Sequence, residues 1–175
     1  MKITKIGAAI ILTFCSVSAA KASNTITFNG TVLDSGCNVA VDGGTATATV
    51  DLGSTVAADL AQKGDLGAPK QFIFDLTECP TSTSADIVFS GPVDTDANDQ
   101  SYFKNTAGVS AATNVAVQLR QGGSNGTIVE NNADNDEIDL SSGNASETYT
   151  AQMIATGLAV AGDVKSVLTY NVRYN

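Results

Sequence analysis

Val164-Lys-Ser-Val-Leu-Thr-Tyr-Asn-Val-Arg-Tyr-Asn175, the final stretch of the 175-residue chain, alternates residue by residue. Leu168, Tyr170, Val172 and Tyr174 share one face, and Val167, Thr169, Asn171 and Arg173 share the other. Successive side chains of a strand point to opposite sides, so a period of two rich in β-branched and aromatic residues marks a half-buried strand. The same pattern stands near the other end, in Ser23-Asn-Thr-Ile-Thr-Phe-Asn-Gly-Thr-Val-Leu-Asp34. There Ile26, Phe28 and Val32 fall on one face with Gly30 in phase, and Thr25, Thr27, Asn29 and Thr31 fall on the other. By pattern alone both are ordinary terminal strands of a closed sandwich, because alternation marks any strand with one face in the core.

Working inward, further alternating segments lie at Thr45–Leu52, Gln71–Leu76, Ala85–Phe89, Asn114–Leu119 and Thr148–Ala155. Thr and Val dominate them, and polar clusters such as Gln121-Gly-Gly-Ser-Asn-Gly126 and Ser141-Ser-Gly-Asn144 separate them. Only Val56–Gln62, after Gly53-Ser54, suggests a helical turn or two. Roughly seven strands in a chain of this length predict an all-β, immunoglobulin-like sandwich. No long linker divides the chain, and no internal repeat is evident.

The first residues read as an export signal. Lys2 and Lys5 precede an apolar run from Ile6 to Ala20, and Ala20-Lys21-Ala22 is a small-x-small cleavage site. Residues 1–22 are therefore expected to be removed. The run is shorter than an ordinary membrane span of roughly 20 residues. Cys15 follows the bulky Phe14, which argues against a lipidated N-terminus. Cleavage takes away Lys2, Lys5 and Lys21 and no acid, so the exported chain is more acidic than the net −9 of the whole. Such a surface repels phosphate and argues against nucleic-acid partners. Cys37 and Cys79 remain, and an even pair in an exported chain predicts one disulfide closing a loop of roughly 40 residues. His and Trp are absent. That removes the usual general base, and two cysteines without His cannot hold a structural zinc. No metal, cofactor or catalytic residue is expected.

Other motifs are weak. Asp94-Thr-Asp96-Ala-Asn98 opens like a calcium loop, but Asp99 stands where Gly is needed and Asn105 where Glu is needed. Asp134, Asp136, Glu137 and Asp139 form a second acidic cluster, and both are expected to be solvated loops. Nothing places two carboxylates in a cleft as a glycosidase requires. Asn29-Gly-Thr31, Asn125-Gly-Thr127 and Asn144-Ala-Ser146 match the glycosylation pattern in Thr/Ser-rich sequence where chance matches are expected. Gly122, Gly123 and Gly126 are hairpin glycines.

Taken in order, several stretches resemble the pilins of chaperone–usher fimbriae across the whole exported chain. They are Thr25-Ile-Thr-Phe-Asn-Gly-Thr-Val-Leu33 leading to Cys37, Thr49-Val-Asp-Leu-Gly53, Leu76-Thr-Glu-Cys-Pro80, Phe89-Ser-Gly91 and Asn114-Val-Ala-Val-Gln-Leu119. The penultimate Tyr174, with Gly162 fourteenth from the end, resembles the C-terminal signature of that family. The short N-terminus and Tyr102-Phe-Lys-Asn105 are most similar to minor tip subunits of type 1 fimbriae, and a major shaft subunit is the other reading, because the two kinds share every motif above.

The resemblance implies an incomplete immunoglobulin-like β-sandwich lacking its last strand. Residues 23–34 would be a donor strand and residues 35–175 the pilin domain. A periplasmic pilus chaperone would lend a strand to the open groove, and at the outer-membrane usher the N-terminal segment of a neighbouring pilin subunit would replace it. The donor would present Asn24, Ile26, Phe28, Gly30 and Val32 to a neighbour's groove, Gly30 at a tight spot. The groove would be edged through Gly162, Leu168, Tyr170, Val172 and Tyr174, with the carboxylate of Asn175 anchoring the chaperone. The expected role is a structural subunit of an adhesive fimbrium at the cell surface, reached through the periplasm. A small secreted carbohydrate-binding adhesin with a complete sandwich is the alternative, and a secreted hydrolase is the third class considered.

Overall fold

The computed structural model describes residues 26, 30–33, 35–81, 84–95 and 99–175. The signal segment, Asn24, Phe28, and Asp96 with Asn98 of the first acidic loop lie outside the described residues. The chain divides into a unit ending at Val32 and a unit Leu33–Asn175, and the fold below is that of the second.

Its described residues form nine strands: β1 Asn38–Val41, β2 Lys70–Thr77, β3 Ser84–Ser90, β4 Phe103–Lys104, β5 Thr113–Gln121, β6 Thr127–Ile128, β7 Ile138–Asp139, β8 Ala145–Val160 and β9 Thr169–Tyr174. Six of them form a sheet in the order β1-β2-β8-β5-β4, with β6 also on β5, and three form a second sheet, β7-β3-β9. Every pair is antiparallel. This is an all-β, incomplete immunoglobulin-like sandwich. Cys37 and Cys79 are joined in a disulfide. Alternation explains the inward faces: on β2, Phe72, Phe74 and Leu76 are buried while their neighbours are exposed or half-exposed.

The sheets meet through rings. Phe74 lies edge-on to Tyr170 at 4.8 Å and to Tyr149 at 5.4 Å, and Phe89 lies edge-on to Tyr149 at 5.2 Å. Edge-to-face pairs set the positive rim of one ring against the negative face of the next. β8 and β5 are buried on both faces at mid-strand. Their outer face is covered where Tyr102 packs on Ala116 and Ile154, and Gln152 Nε2 donates to Gln118 Oε1 at 3.3 Å.

Two expected strands differ from the sequence reading. Among the described residues Thr45–Leu52 joins no ladder, and it lies outside regular structure. Of Val164–Tyr174 only Thr169–Tyr174 is paired, with β3. Alternation specifies an extended segment with an inner and an outer face, whereas a strand also needs a neighbour to hydrogen-bond, and here the neighbour is missing. Val50, Leu52, Val164 and Leu168 still turn inward onto the core. The helical turn expected within Val56–Gln62 is a 3-10 turn, Ala57–Leu60. Four residues of β1 and two each of β4, β6 and β7 are too short for a periodicity to register.

Candidate functional site

The missing neighbour leaves a groove of about 1260 Å³ open between the sheets. Its floor is the larger sheet: Phe72 and Phe74 of β2, Val115, Val117 and Leu119 of β5, and Ala151 and Met153 of β8. One edge is the unpaired segment 46–55, and the other runs from the end of β8 to Tyr170. At one end Leu60, Ala112, Val115, Met153 and Ala159 make a small apolar cluster, and at the other lie Val41 and the rings of Phe74 and Phe89.

The edge that follows β8 is held by identifiable contacts. Behind residues 163–165, the Asn105 side chain donates to the carbonyls of Ala112 (3.1 Å) and Asp163 (2.8 Å) and accepts from Lys165 N (3.0 Å), while Thr106 N donates to the Lys165 carbonyl at 2.6 Å. Asn105, met in the sequence as the failed last position of a calcium loop and as part of a resemblance, thus holds the groove's edge from behind. Gly162 fits because a Cβ there would meet the backbone of Ser110, Ala111 and Ala112 at 2.5–2.7 Å. At the far end the Tyr170 hydroxyl donates to the Ala46 carbonyl at 2.6 Å and joins the two edges. Burial of its ring pushes the Tyr170 phenol above its ordinary pKa.

The β3–β9 register shows which backbone groups of β9 are available. The carbonyls of Ile87 and Phe89 face away from β9, since they accept from Asn135 Nδ2 (2.7 Å) and from Asn132 N (2.8 Å). Ile87 pairs with Val172 and Phe89 with Tyr170. In an antiparallel ladder the two members of a pair turn their N–H and C=O the same way relative to each other, both inward or both outward. Tyr170, Val172 and Tyr174 therefore present N–H and C=O along the free side of β9, and among the described residues no strand pairs there.

Gly162, Leu168 and Tyr170 line the groove. Val172 and Tyr174 lie beyond the Tyr170–Ala46 closure, half-buried against the core, so they edge the sheet without lining the groove. Asn175 N donates to the Ser84 carbonyl and its side chain to Asp86. Of the proposed donor positions, Ile26, Gly30 and Val32 are exposed and outside regular structure, and a Cβ on Gly30 would meet nothing within 4 Å. Sequence reasoning missed segment 46–55 as an edge, having assigned Thr45–Leu52 to a strand, and missed the Tyr170–Ala46 bond, for which no local pattern exists.

The fimbrial protein family matches residues 26–175. The chain belongs to this family. It is 30% identical over 152 residues to the S-fimbrial protein subunit SfaA of Escherichia coli O6:K15:H31, covering 86% of this chain and 82% of the other. It is 28% identical over 180 residues to the minor fimbrial subunit HifD of Haemophilus influenzae, covering 95% and 81%. Among solved structures, the P pilus rod subunit PapA shares the fold at a TM-score of 0.63 with 16% identity, covering 79% of this chain and 99% of the other. This fimbrial protein is thus a structural pilus subunit, and its place of work is the extracellular pilus.

Proposed function

We propose that the groove receives the N-terminal segment of a neighbouring pilin subunit as an added strand along β9, and that residues 23–34 serve a neighbour in the same way. The observation that carries this reading is the pairing of an apolar groove with a row of outward N–H and C=O groups on one strand. An unpaired edge beside an open core is a template for strand addition. The donor's Ile26, Phe28 and Val32 match an apolar floor, and burying each is worth roughly 1.5–3 kcal/mol. Backbone hydrogen bonds add about 1 kcal/mol apiece net. The gross sum passes ~10 kcal/mol before the cost of ordering the donor. Donor and groove are different surfaces, so the contact does not close on itself and extends into a filament.

By the same reading a periplasmic chaperone occupies the groove first and the outer-membrane usher oversees the exchange, because a subunit exposing this much apolar surface aggregates unless it is shielded. The test is Gly30→Leu. The variant is expected to fold and to be lost from fibres, since a branched side chain replaces the one donor position without any. Fibre incorporation at the wild-type level would overturn the donor assignment.

A further inference from the structure

The donor segment joins the domain through Gly36 and Cys37, and this junction is held by both sheets. The disulfide ties Cys37 to Cys79, just past the end of β2. The second tie comes from β9: Cys37 N donates to the Tyr174 hydroxyl at 2.5 Å. Gly36 lies under the same ring, where a Cβ would meet the hydroxyl oxygen at 2.7 Å and the ring carbon bearing it at 3.3 Å. Tyr174 is half-buried against the core, so its ring is backed by packing and its hydroxyl is aimed.

From this geometry we infer that Tyr174 is a positioning residue that couples the strand receiving a neighbour's ribbon to the stem of the segment this subunit donates. The coupling rests on the reading that a ribbon adds along β9. Unoccupied, β9 is an edge strand with one ladder neighbour, and edge strands near a terminus open locally at low free-energy cost. A ribbon on its free side gives it a second neighbour. The ring of Tyr174 then moves less, and the Cys37 amide that depends on its hydroxyl opens less often. Filling the groove therefore stiffens the stem without any contact between ribbon and stem, and linkage requires that a held stem favour ribbon binding by the same factor.

The contact has two sides, and each supplies a variant. Tyr174→Phe keeps the ring and removes the acceptor. Gly36→Ala keeps the hydroxyl and displaces it from Cys37 N. Amide hydrogen exchange on the full exported chain, with and without a synthetic peptide of residues 23–34, tests the inference. Both variants are expected to speed exchange at Cys37 by about fivefold to tenfold, the factor for one net hydrogen bond, while the amides of β3 keep wild-type rates. Adding peptide is expected to slow exchange at Leu168, Tyr170 and Val172 in all three proteins, but at Cys37 in wild type only. Slowing at Leu168–Val172 with Cys37 unmoved in wild type, or moved equally in the variants, overturns the inference and leaves strand addition standing. No slowing at either place overturns strand addition, and the coupling falls with it.

Discussion

Along the outer side of β3 the carbonyls of Ile87 and Phe89 meet Asn135 and Asn132, while along the outer side of β9 the same row of groups meets no strand among the described residues. The two edges belong to one three-stranded sheet and lie two strands' width apart. The closed one is finished by a loop. Asn132 sits at φ 57°, a left-handed turn that asparagine tolerates, and this turns its amide toward Phe89. Asn131 Oδ1 accepts from Gly91 N at 2.9 Å just past the end of β3. The open edge has no proline, no bulge and no inward-pointing charge between Thr169 and Tyr174, and Arg173 is its one charged side chain. On this side β7 pairs Ser84 and Ala85 and three asparagines of one loop cap the remainder, so the openness of the other edge reflects where β7 and the polar donors were placed.

Supplying the missing strand should have the largest effect on this contrast. A copy of residues 23–34 joined by a flexible linker after Asn175 is expected to raise the free energy of unfolding by about 5 kcal/mol or more, read by urea denaturation. An unchanged midpoint would mean that β9 is not a receptive edge. Next in size is damage to the closed edge. Asn135→Ala leaves the Ile87 carbonyl without its donor in a fully buried residue and is expected to cost about 1–2 kcal/mol in the same assay. It should leave peptide binding at β9 unaltered, and weakened binding would show that the two edges are not independent.

A smaller change separates the hydroxyl of Tyr170 from its ring. Tyr170→Phe keeps the edge-on contact with Phe74 and releases Ala46, for an expected loss of about 0.5–1 kcal/mol. A loss above ~3 kcal/mol would place the Ala46 tie at the centre of the fold. The least effect at physiological pH is protonic. Burial raises the pKa of Tyr170, and of Tyr149 further still, so the folded state holds these phenol protons more tightly than the unfolded chain. The stability this contributes is fully present below the unfolded tyrosine value of about 10 and is lost as pH rises beyond it. Melts across this range should show stability flat toward pH 9 and falling above 10, and ionisation of Tyr149 and Tyr170 at the free-tyrosine pKa in the folded protein, followed ring by ring by NMR, would contradict it.

Much of this arrangement was legible beforehand. The faces of β2, β3, β5, β8 and β9 follow from period-two alternation, because which way a side chain points is a property of one strand. The disulfide followed from two cysteines in an exported chain, and the family resemblance gathered Gly162, Leu168 and Tyr170 onto what is the groove's lining. Less legible was the fate of Thr45–Leu52, whose pattern is as regular as that of any strand yet which joins no strand among the described residues. Nor could the sequence separate Tyr170, which lines the groove, from Val172 and Tyr174 on the same face, because the division is made by the Ala46 carbonyl far away in the chain.

On its own, then, the order of residues determined that the chain is all-β, joined by one disulfide and amphipathic along its extended segments. The tertiary structure alone decided which of those segments found partners, which edge was sealed by asparagines, and that Tyr174 reaches the stem at Cys37. The reason is physical. Alternation is encoded within a few neighbouring residues, whereas a ladder, a cap or a tie is a bond between groups more than a hundred positions apart in the case of Tyr174 and Cys37, and it exists only once the sandwich has brought them together.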